Sequence, residues 1–455
     1  MNILENNNFF FIGVGGAGMS AIAQFLSGTG NVVAGSDRLF TNPENDYIKD
    51  QLEAESIKCF VQDASGITEQ TQIMVASAAI EDTNVEIKKA KELNIPIVSR
   101  AEMLAAICES KKTIAIGGTS GKSTVTAMMF HMLYECGVSP SLITGAGLAS
   151  LIEKGKIGNA FVGESDYLLI EADESDGSLV RYKPHIGVLL NKDKDHLEED
   201  ELDKVYNTFK ENSSEYFIVN HNPIAKVAEF SKGSDFDFGK GTKFEGIDFN
   251  QKGFSITFKV GQQEVMLPTI GEHNMENALA CMAVADILNV DLSKAAKALG
   301  TYPGIYRRHQ LLGEKKGVIV IDDYAHNPAK IAASIKSAQA VGDKVIAWFQ
   351  PHGFKPTRFI REELVKEVTA CMRPQDQMWM SEIYYAGGTT TKDISANDLI
   401  EDLKKNQVQS FFVEERDELL ETMRPHLTEG TVLLLMGARD PSLEKFAKEL
   451  YHDHL

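Results

Sequence analysis

Residues 117–124, GGTSGKST, place a glycine turn, a lysine and two hydroxyl side chains directly after the apolar run IAI. Backbone amides of such a turn, the positive end of the next helix, the lysine and a hydroxyl that reaches Mg²⁺ together suit a nucleoside triphosphate. The loop is shorter than the common P-loop, because the residue five positions before Gly121 is Ile116 rather than glycine. The alternative is a structural turn capped by Ser123. We predict an ATP site formed by Gly118, Thr119, Ser120, Gly121, Lys122, Ser123 and Thr124.

A group of carboxylates follows the next apolar run, YLLI. The group consists of Glu171, Asp173, Glu174 and Asp176. Like charges raise each other's pKa, so these side chains need a cation to stay ionised together, and Mg²⁺ is the simplest choice. Downstream, NKDKDH places His196 after another apolar run, whereas Lys192 to Asp195 are interpreted as ordinary surface charge.

A second glycine motif lies near the N-terminus, in FFFIGVGGAGMSAIAQFL. Gly13, Gly15 and Gly18 match G-x-G-x-x-G between a predicted strand and helix. Asp37 follows about 20 residues on, where dinucleotide-binding folds hold a ribose hydroxyl. The motif indicates a bound nucleotide but does not identify it, and a nicotinamide dinucleotide remains possible from this segment alone.

Composition narrows the class of protein. The net charge of -19 argues against a nucleic-acid partner, which requires a broad basic surface. Five scattered cysteines without a CxxC pair indicate reduced thiols. The sequence lacks both a signal-peptide pattern and an apolar run long enough for a membrane helix. We therefore expect a cytoplasmic protein with no membrane association.

Strand and helix patterns alternate along the 455 residues. They predict an α/β fold of three domains: an N-terminal Rossmann-like domain at 1–108, a central P-loop ATPase-like domain at 109–301 and a C-terminal Rossmann-like domain at 302–455. Because ligands bind at the carboxyl ends of strands in open α/β sheets, the polar clusters are expected at those edges.

The motifs, taken in order, resemble those of the Mur ligases, the ATP-dependent amino-acid-adding enzymes of peptidoglycan synthesis. The resemblance covers essentially the whole chain, and GT-x-GK-[ST] is the family's own form of the P-loop. The motifs are GVGGAGMS, GSD, ASAAI, RAEML, GTSGKST, EADESD, DH, HNxxN, RRHQLLG, IDDYAHNP, FQPH and LLLMGARD.

The resemblance implies a reaction. ATP phosphorylates the carboxylate of UDP-N-acetylmuramate, and the amine of an amino acid attacks the acyl phosphate to form an amide. The implied cofactors are ATP and Mg²⁺, and the implied partners are UDP-N-acetylmuramate and an amino acid or short peptide.

The resemblance also assigns residues to each ligand. Lys122, Glu174 and His196 are the catalytic candidates, and Ser123, Glu174 and His196 the metal ligands. Asn274 and Asn277 match the adenine side, and Arg307 and Asp322 the ATP contacts of the third domain. The UDP-sugar residues are Gly13, Gly15, Gly16, Gly18, Ser36, Asp37 and Ser77. His196 matches the family's ligand for a second Mg²⁺, and some relatives carry a carbamylated lysine near this second metal, for which Lys210 is the candidate here.

The acceptor side departs from the family pattern. Asn327, Gly353 and Pro356 stand where a histidine and two arginines usually help to hold the incoming amino acid. The remaining acceptor candidates are His326, His352, Lys355, Arg358 and Arg439. L-alanine is the leading acceptor, with another amino acid or a recycled peptide as the alternative. From other classes, a nicotinamide-dependent oxidoreductase with a regulatory ATP site and a non-catalytic nucleotide sensor stay open.

Overall fold

The computed structural model describes residues 7–42, 45–77, 80–174, 177–192, 199–385, 391–438, 440 and 442–454. The chain divides into two units. The first comprises Met1–Asn250 and Ile256–Gly304, and the second Gln251–Ser255 and Ile305–Leu455. His196, Asp176 and Arg439, all singled out above, lie outside the described residues.

The first unit begins with a five-stranded parallel sheet built from short apolar runs such as FFFI. Its strands are β1 (Asn8–Ile12), β2 (Val32–Asp37), β3 (Ile57–Val61), β4 (Ile73–Ala76) and β5 (Ile97–Ser99). Its helices are α1 (Ala17–Gly28), α2 (Asp46–Ala54), α3 (Val85–Glu92) and α4 (Arg100–Glu109). The order is β3-β2-β1-β4-β5. The strand order reverses at β1, so the first glycine loop lies where such sheets bind ligands.

A six-stranded sheet follows in the same unit, in the order β11-β10-β6-β9-β7-β8. Its strands are β6 (Lys112–Gly117), β7 (Ser141–Ile143), β8 (Ala160–Phe161), β9 (Tyr167–Glu171), β10 (Ile186–Leu189) and β11 (Tyr216–Val219). Helices α5 (Lys122–Glu135), α6 (Ala149–Ile152) and α7 (Glu199–Asn212) lie between them in sequence. Because β6 pairs with both β9 and β10, the loops after these three strands meet at one edge of the sheet.

A three-stranded sheet and two helices complete this part of the chain. The strands are β12 (Gly246–Lys252), β13 (Ser255–Val260) and β14 (Gln263–Leu267), and the helices are α8 (Glu272–Ile287) and α9 (Leu292–Leu299). Helix α8 packs on α5 with a buried face that includes Asn274 and Cys281. The phosphate-loop helix is therefore braced by the helix that carries the predicted adenine residues.

The second unit is built on a six-stranded sheet in the order β15-β16-β20-β17-β18-β19. Its strands are β15 (Gln310–Lys315), β16 (Val318–Asp323), β17 (Lys344–Gln350), β18 (Gln377–Met380), β19 (Ser410–Phe412) and β20 (Thr431–Gly437). Its helices are α10 (Pro328–Gln339), α11 (Phe354–Cys371), α12 (Ala396–Lys405), α13 (Leu419–Met423) and α14 (Leu443–Glu449). Only the β15 pairing is antiparallel, and apolar clusters cover both faces of the sheet.

The α/β prediction is confirmed by these sheets. Helix α4 ends at Glu109, one residue past the first predicted boundary, and the first unit ends at Gly304. The division into three domains at 108/109 and 301/302 stays a prediction. Among the described helices, each is too short or too polar to cross a bilayer.

Candidate active site

The phosphate loop is hydrogen-bonded to Asn191, which follows the neighbouring strand β10. Gly118 has φ +132°, and a Cβ added there would lie 3.1 Å from the Asn191 backbone nitrogen. The Ser120 amide donates to Asn191 Oδ1 at 2.9 Å, and Asn191 Nδ2 donates to the Ser120 carbonyl at 3.0 Å. Asn191 is therefore hydrogen-bonded to both the backbone amide and the backbone carbonyl of Ser120. Asn191 was not predicted from the sequence, although its place two residues after the end of β10 was a signal for it.

Lys122, the first residue of α5, lies between the loop and the carboxylates. Its Nζ donates to the Gly118 carbonyl at 2.8 Å and to Glu174 Oε2 at 2.8 Å, and lies 3.6 Å from Asp173 Oδ1. The side chains of Lys122 and Glu174 are 14% and 5% exposed, so water screens this ion pair only weakly. The structure thus brings together the phosphate loop, its lysine and Glu174, as the sequence predicted.

Two of the acidic residues that follow YLLI have different hydrogen-bond partners. Glu171 accepts a hydrogen bond from the Thr144 hydroxyl, whereas Glu174 accepts the Lys122 ammonium. Within the described ranges, no group of three or more His, Cys, Asp or Glu side chains could hold a metal. Mg²⁺ is commonly bound by one or two carboxylates together with substrate phosphates. Glu174 and the buried hydroxyl-bearing Ser123 are oxygen donors that fit such a partial site.

The two predicted adenine residues are hydrogen-bonded to each other. Asn277 Nδ2 donates to Asn274 Oδ1 at 3.0 Å, and Asn274 Nδ2 donates to the Ile270 carbonyl at 2.8 Å. A Cβ added to Gly121 would lie 3.2 Å from Asn277 Oδ1. Asn277 therefore borders the phosphate loop, and Asn274 holds the Asn277 amide group.

A carboxylate that the sequence analysis did not identify lies between these asparagines in sequence. Glu276 Oε1 accepts from Asn222 Nδ2 at 3.2 Å. Burial raises the pKa of Glu276, and the asparagine hydrogen bonds oppose that shift.

The first glycine loop is tied to the end of β2. The amides of Gly13 and Val14 donate to the Ser36 carbonyl at 2.8 and 3.0 Å. The Gly15 amide donates to Asp37 Oδ2 at 2.9 Å, and the Leu39 amide donates to Asp37 Oδ1. Asp37 is 9% exposed and thus serves the loop itself, which differs from the ribose contact expected of a dinucleotide site.

The first turn of α1 supplies the remaining donors near this loop. Gly16 caps the helix without a side-chain hydrogen bond, so the amides of the first turn are available to an anion. A Cβ added to Gly18 would lie 3.4 Å from the Arg100 guanidinium. The sequence analysis noted RAEML only as a motif, whereas the structure places its arginine beside α1. Ser77 lies just beyond β4 at the same edge of the sheet.

A buried carboxylate, Glu86, is hydrogen-bonded to Ser36, the residue that accepts the loop amides. Ser36 and Glu86 are both fully buried, and the Ser36 hydroxyl donates to Glu86 Oε2 at 2.6 Å. Burial raises the pKa of Glu86, and hydrogen bonds from Ser36 and the Ala64 amide oppose that shift. Nothing in the sequence motif pointed to Glu86, because it lies 50 positions from Ser36.

The geometry contradicts one interpretation from the sequence. Lys192 is not surface charge: its side chain is 7% exposed, and Nζ lies 2.7 Å from Asp203 and 3.0 Å from Glu229. Lys210 lies in the last turn of α7, and its carbonyl accepts the amide of Ser213. Its assignment as the carbamylated lysine stays a prediction.

In the second unit, Arg307 and Asp322 form a buried ion pair. Arg307 Nε lies 2.9 Å from Asp322 Oδ2, and an Arg307 NH2 group donates to the Gly437 carbonyl at 3.0 Å. Burial raises the pKa of Asp322, and the guanidinium opposes the shift. The two residues lie together as the resemblance implied, while their contact with ATP stays a prediction.

Only some of the acceptor candidates in the second unit lie close to one another. The rings of His326 and His352 lie 6.1 Å apart, which fits a shared site. Asn327 accepts the Lys330 amide at 2.9 Å as the N-cap of α10, so its side chain has a structural role. Arg358 pairs with Asp393, and Lys355 is exposed on α11.

Profiles of three Mur ligase domains match the chain in order. The Mur ligase family catalytic domain matches residues 8–112, the middle domain 116–285 and the glutamate ligase domain 307–439. The UDP-N-acetylmuramate–L-alanine ligase of Clostridium kluyveri is 33% identical over 96% of this chain and 97% of that protein.

Solved structures give the same result at the level of the fold. The UDP-N-acetylmuramate-alanine ligase of Thermotoga maritima superposes with a TM-score of 0.78 at 26% identity, covering 98% of this chain and 99% of that chain. A murein peptide ligase of Psychrobacter arcticus has a TM-score of 0.63 at 19% identity, with 98% of each chain covered, and so supports the fold alone. None of these matches supports the oxidoreductase alternative.

Proposed function

The chain belongs to the Mur ligase family and is an ATP-dependent ligase, and we propose that it joins L-alanine to the lactyl carboxylate of UDP-N-acetylmuramate in peptidoglycan synthesis. The observation that carries the proposal is the position of Lys122, which is held between the Gly118 carbonyl and Glu174 at the start of α5. The similarity to alanine-adding ligases over nearly the full chain supports this choice of substrates.

The proposed reaction has two steps. A carboxylate oxygen of the muramyl group attacks the γ-phosphorus of ATP, the bond to the β-phosphate oxygen breaks, and ADP leaves an acyl phosphate behind. The amine of L-alanine then attacks the acyl carbon, inorganic phosphate leaves, and the nitrogen loses a proton to give the amide. Each turnover converts one ATP to ADP and phosphate.

The phosphate loop suits the first step for electrostatic reasons. The γ-phosphoryl group carries charge on its equatorial oxygens in the transition state, and a lysine fixed at a helix N-terminus stabilises that charge without reorganising. Two hydrogen bonds, to the Gly118 carbonyl and to Glu174, fix the position of the Lys122 ammonium. The amides of the α5 first turn add to the same field, because Gly121 caps the helix without a side-chain bond.

Ser123 and Glu174 are the described residues that would hold Mg²⁺, with His196 as a further candidate. When bound, Mg²⁺ neutralises charge on the phosphate oxygens. Glu174 would then change partner from the Lys122 ammonium to the metal, which frees the lysine for phosphate.

The test of this proposal is phosphate release that depends on all three substrates. UDP-N-acetylmuramate and ATP are supplied with L-alanine, glycine, L-serine or a tripeptide, and kcat/KM is measured for each. We expect release only in the complete mixtures, with L-alanine preferred. Preference for the tripeptide would favour the peptide-adding alternative, and binding of NAD without phosphate release would overturn the ligase proposal.

The acceptor residue can be identified in the same assay. Because the usual two arginines are replaced by Gly353 and Pro356, we expect a remaining cation to bind the L-alanine carboxylate. Neutralising that residue in Lys355→Ala, Arg358→Ala or Arg439→Ala should raise the KM for L-alanine roughly ten-fold, on the scale of one charged hydrogen bond. If all three variants keep the wild-type KM, the acceptor assignments are wrong.

A further inference from the structure

Glu86 is connected to the first glycine loop through a single intermediate residue. Its Oε2 accepts the Ser36 hydroxyl at 2.6 Å, and the Ser36 carbonyl accepts the amides of Gly13 and Val14 at 2.8 and 3.0 Å. Ser36 therefore bonds Glu86 through its side chain and the loop through its backbone. Rotation or displacement of Ser36 would disturb both loop amides at once.

Burying the Glu86 carboxyl lowers the stability of the fold, which argues for a specific role of this residue. The side chain is fully buried, and its Oε1 has no hydrogen-bond partner, although the Ser36 hydroxyl and the Ala64 amide donate to the carboxyl. A buried carboxyl that is only partly satisfied costs stability, so such groups in native proteins usually have a specific role. The neighbouring acidic residues Asp37 and Asp63 raise that cost further.

The helix that carries Glu86 is itself fixed against the sheet. Asn84 caps α3 by accepting the Glu86 amide at 2.8 Å, and Ile87 is buried in the apolar cluster beneath β1 and β4. The carboxyl thus has little freedom to leave Ser36. Its place is defined by α3, whereas the loop that it supports follows β1.

We propose that Glu86 is a positioning residue for the nucleotide-sugar site: it holds Ser36 so that the Ser36 carbonyl keeps the first turn of the glycine loop in its binding shape. The inference rests on the proposed function, because it takes UDP-N-acetylmuramate as the ligand of this loop. Glu86 touches the loop only through Ser36 in this scheme. Its removal should therefore weaken binding of the sugar nucleotide without slowing the chemical step.

The experiment compares Glu86→Ala and Glu86→Gln with Ile87→Ala. The last variant removes a buried side chain from the same helix without touching Ser36, so it controls for general loosening of α3. We expect Glu86→Ala to raise the KM for UDP-N-acetylmuramate about ten-fold, on the scale of a lost charged hydrogen bond, with kcat and the KM for ATP unchanged. Glu86→Gln, which still accepts the hydroxyl, should return the KM to within about three-fold of wild type.

Amide exchange provides a readout that does not depend on the ligand. Hydrogen exchange of the Gly13 and Val14 amides should be faster in Glu86→Ala than in wild type and unchanged in Ile87→Ala. Equal acceleration in Ile87→Ala, or wild-type exchange and KM in Glu86→Ala, would overturn the inference. If the exchange result holds but wild-type protein does not bind UDP-N-acetylmuramate, the proposed function fails and the positioning role stands.

Discussion

The first unit contains two strand–glycine turn–helix segments that share a backbone plan. Gly13 follows β1 and Gly121 precedes α5, and both have φ +83°. In each segment the helix begins after a glycine that gives no side-chain cap. In each, a polar residue at or just beyond the end of a neighbouring parallel strand accepts hydrogen bonds from loop amides. The common plan explains why both motifs predict a bound phosphate group.

The two loops differ in the charge that surrounds them. The Asp37 carboxylate accepts the Gly15 amide of the first loop, and Glu86 bonds Ser36 behind it, so carboxylates hold this loop, while Arg100 lies beside the first turn of α1. The neutral Asn191 holds the second loop, and the first residue of its helix is Lys122. A loop that only binds a ligand needs shape, whereas a loop at which charge moves needs a fixed cation. We therefore expect the chemical step at the second loop.

The largest expected effect comes from removing that cation. Lys122→Met should lower kcat by about 1,000-fold, because one preorganised donor to the transferring phosphoryl group is lost. Binding of UDP-N-acetylmuramate, measured by calorimetry, should not change, since the first loop is built from different strands.

Loss of Lys122 also leaves Glu174 buried without its ion-pair partner, which destabilises the fold. The double variant Lys122→Met/Glu174→Gln serves as the control, because it removes both charges. It should recover stability but not activity. Substantial turnover by either variant would remove the basis for distinguishing the two loops.

Glu174→Gln should have the next largest effect. The amide keeps the shape of the side chain but is a poorer Mg²⁺ ligand, so we expect activity to fall about 100-fold at fixed Mg²⁺. Raising the Mg²⁺ concentration should recover part of it. A titration of activity against Mg²⁺ that superposes on the wild-type curve after scaling would show that Glu174 does not bind the metal.

The sequence predicted the glycine loops better than the residues that hold them. Each loop motif is contiguous, so the turn, lysine and helix start are visible in about ten letters. Asn191 and Glu86 act across 71 and 50 positions, respectively, and their role depends on which strands pair. Strand order is a tertiary property, and a single sequence does not encode it in any local pattern.

The interpretation of Lys192 as surface charge failed for a related reason. Lys192 belongs to a run of charged residues that resembles a solvated surface, yet its buried Nζ lies 2.7 Å from Asp203 in α7 and 3.0 Å from Glu229. Neither partner belongs to that run, so the local charge pattern gave no sign of them.

A smaller effect is expected from Asn191→Ala, which removes the two hydrogen bonds to Ser120. At about 1 kcal/mol for each bond, the KM for ATP should rise roughly 30-fold, while the KM for the sugar nucleotide stays unchanged. Asn31→Ala is a matched control, because Asn31 also accepts a backbone amide and donates to a backbone carbonyl. An equal rise in the KM for ATP in Asn31→Ala would mean that the effect is not local to the loop.

The smallest effects should come from the two glycines with equal φ. Alanine at Gly13 or Gly121 carries about the same backbone strain of 1–2 kcal/mol, so both variants should lose a similar few degrees of melting temperature.

The surroundings of the two glycines differ. A Cβ at Gly121 would lie 3.2 Å from Asn277 Oδ1, whereas a Cβ at Gly13 has no atom within 4 Å. We therefore expect Gly121→Ala to raise the KM for ATP about three-fold, since displacing Asn277 weakens roughly one hydrogen bond. Gly13→Ala should leave that KM unchanged and act only on the sugar nucleotide, whose space its methyl group would enter. Steady-state kinetics with each substrate varied in turn distinguishes the cases. If Gly13→Ala raises the KM for ATP as much as Gly121→Ala does, the two loops are not independent and the division of roles between them fails.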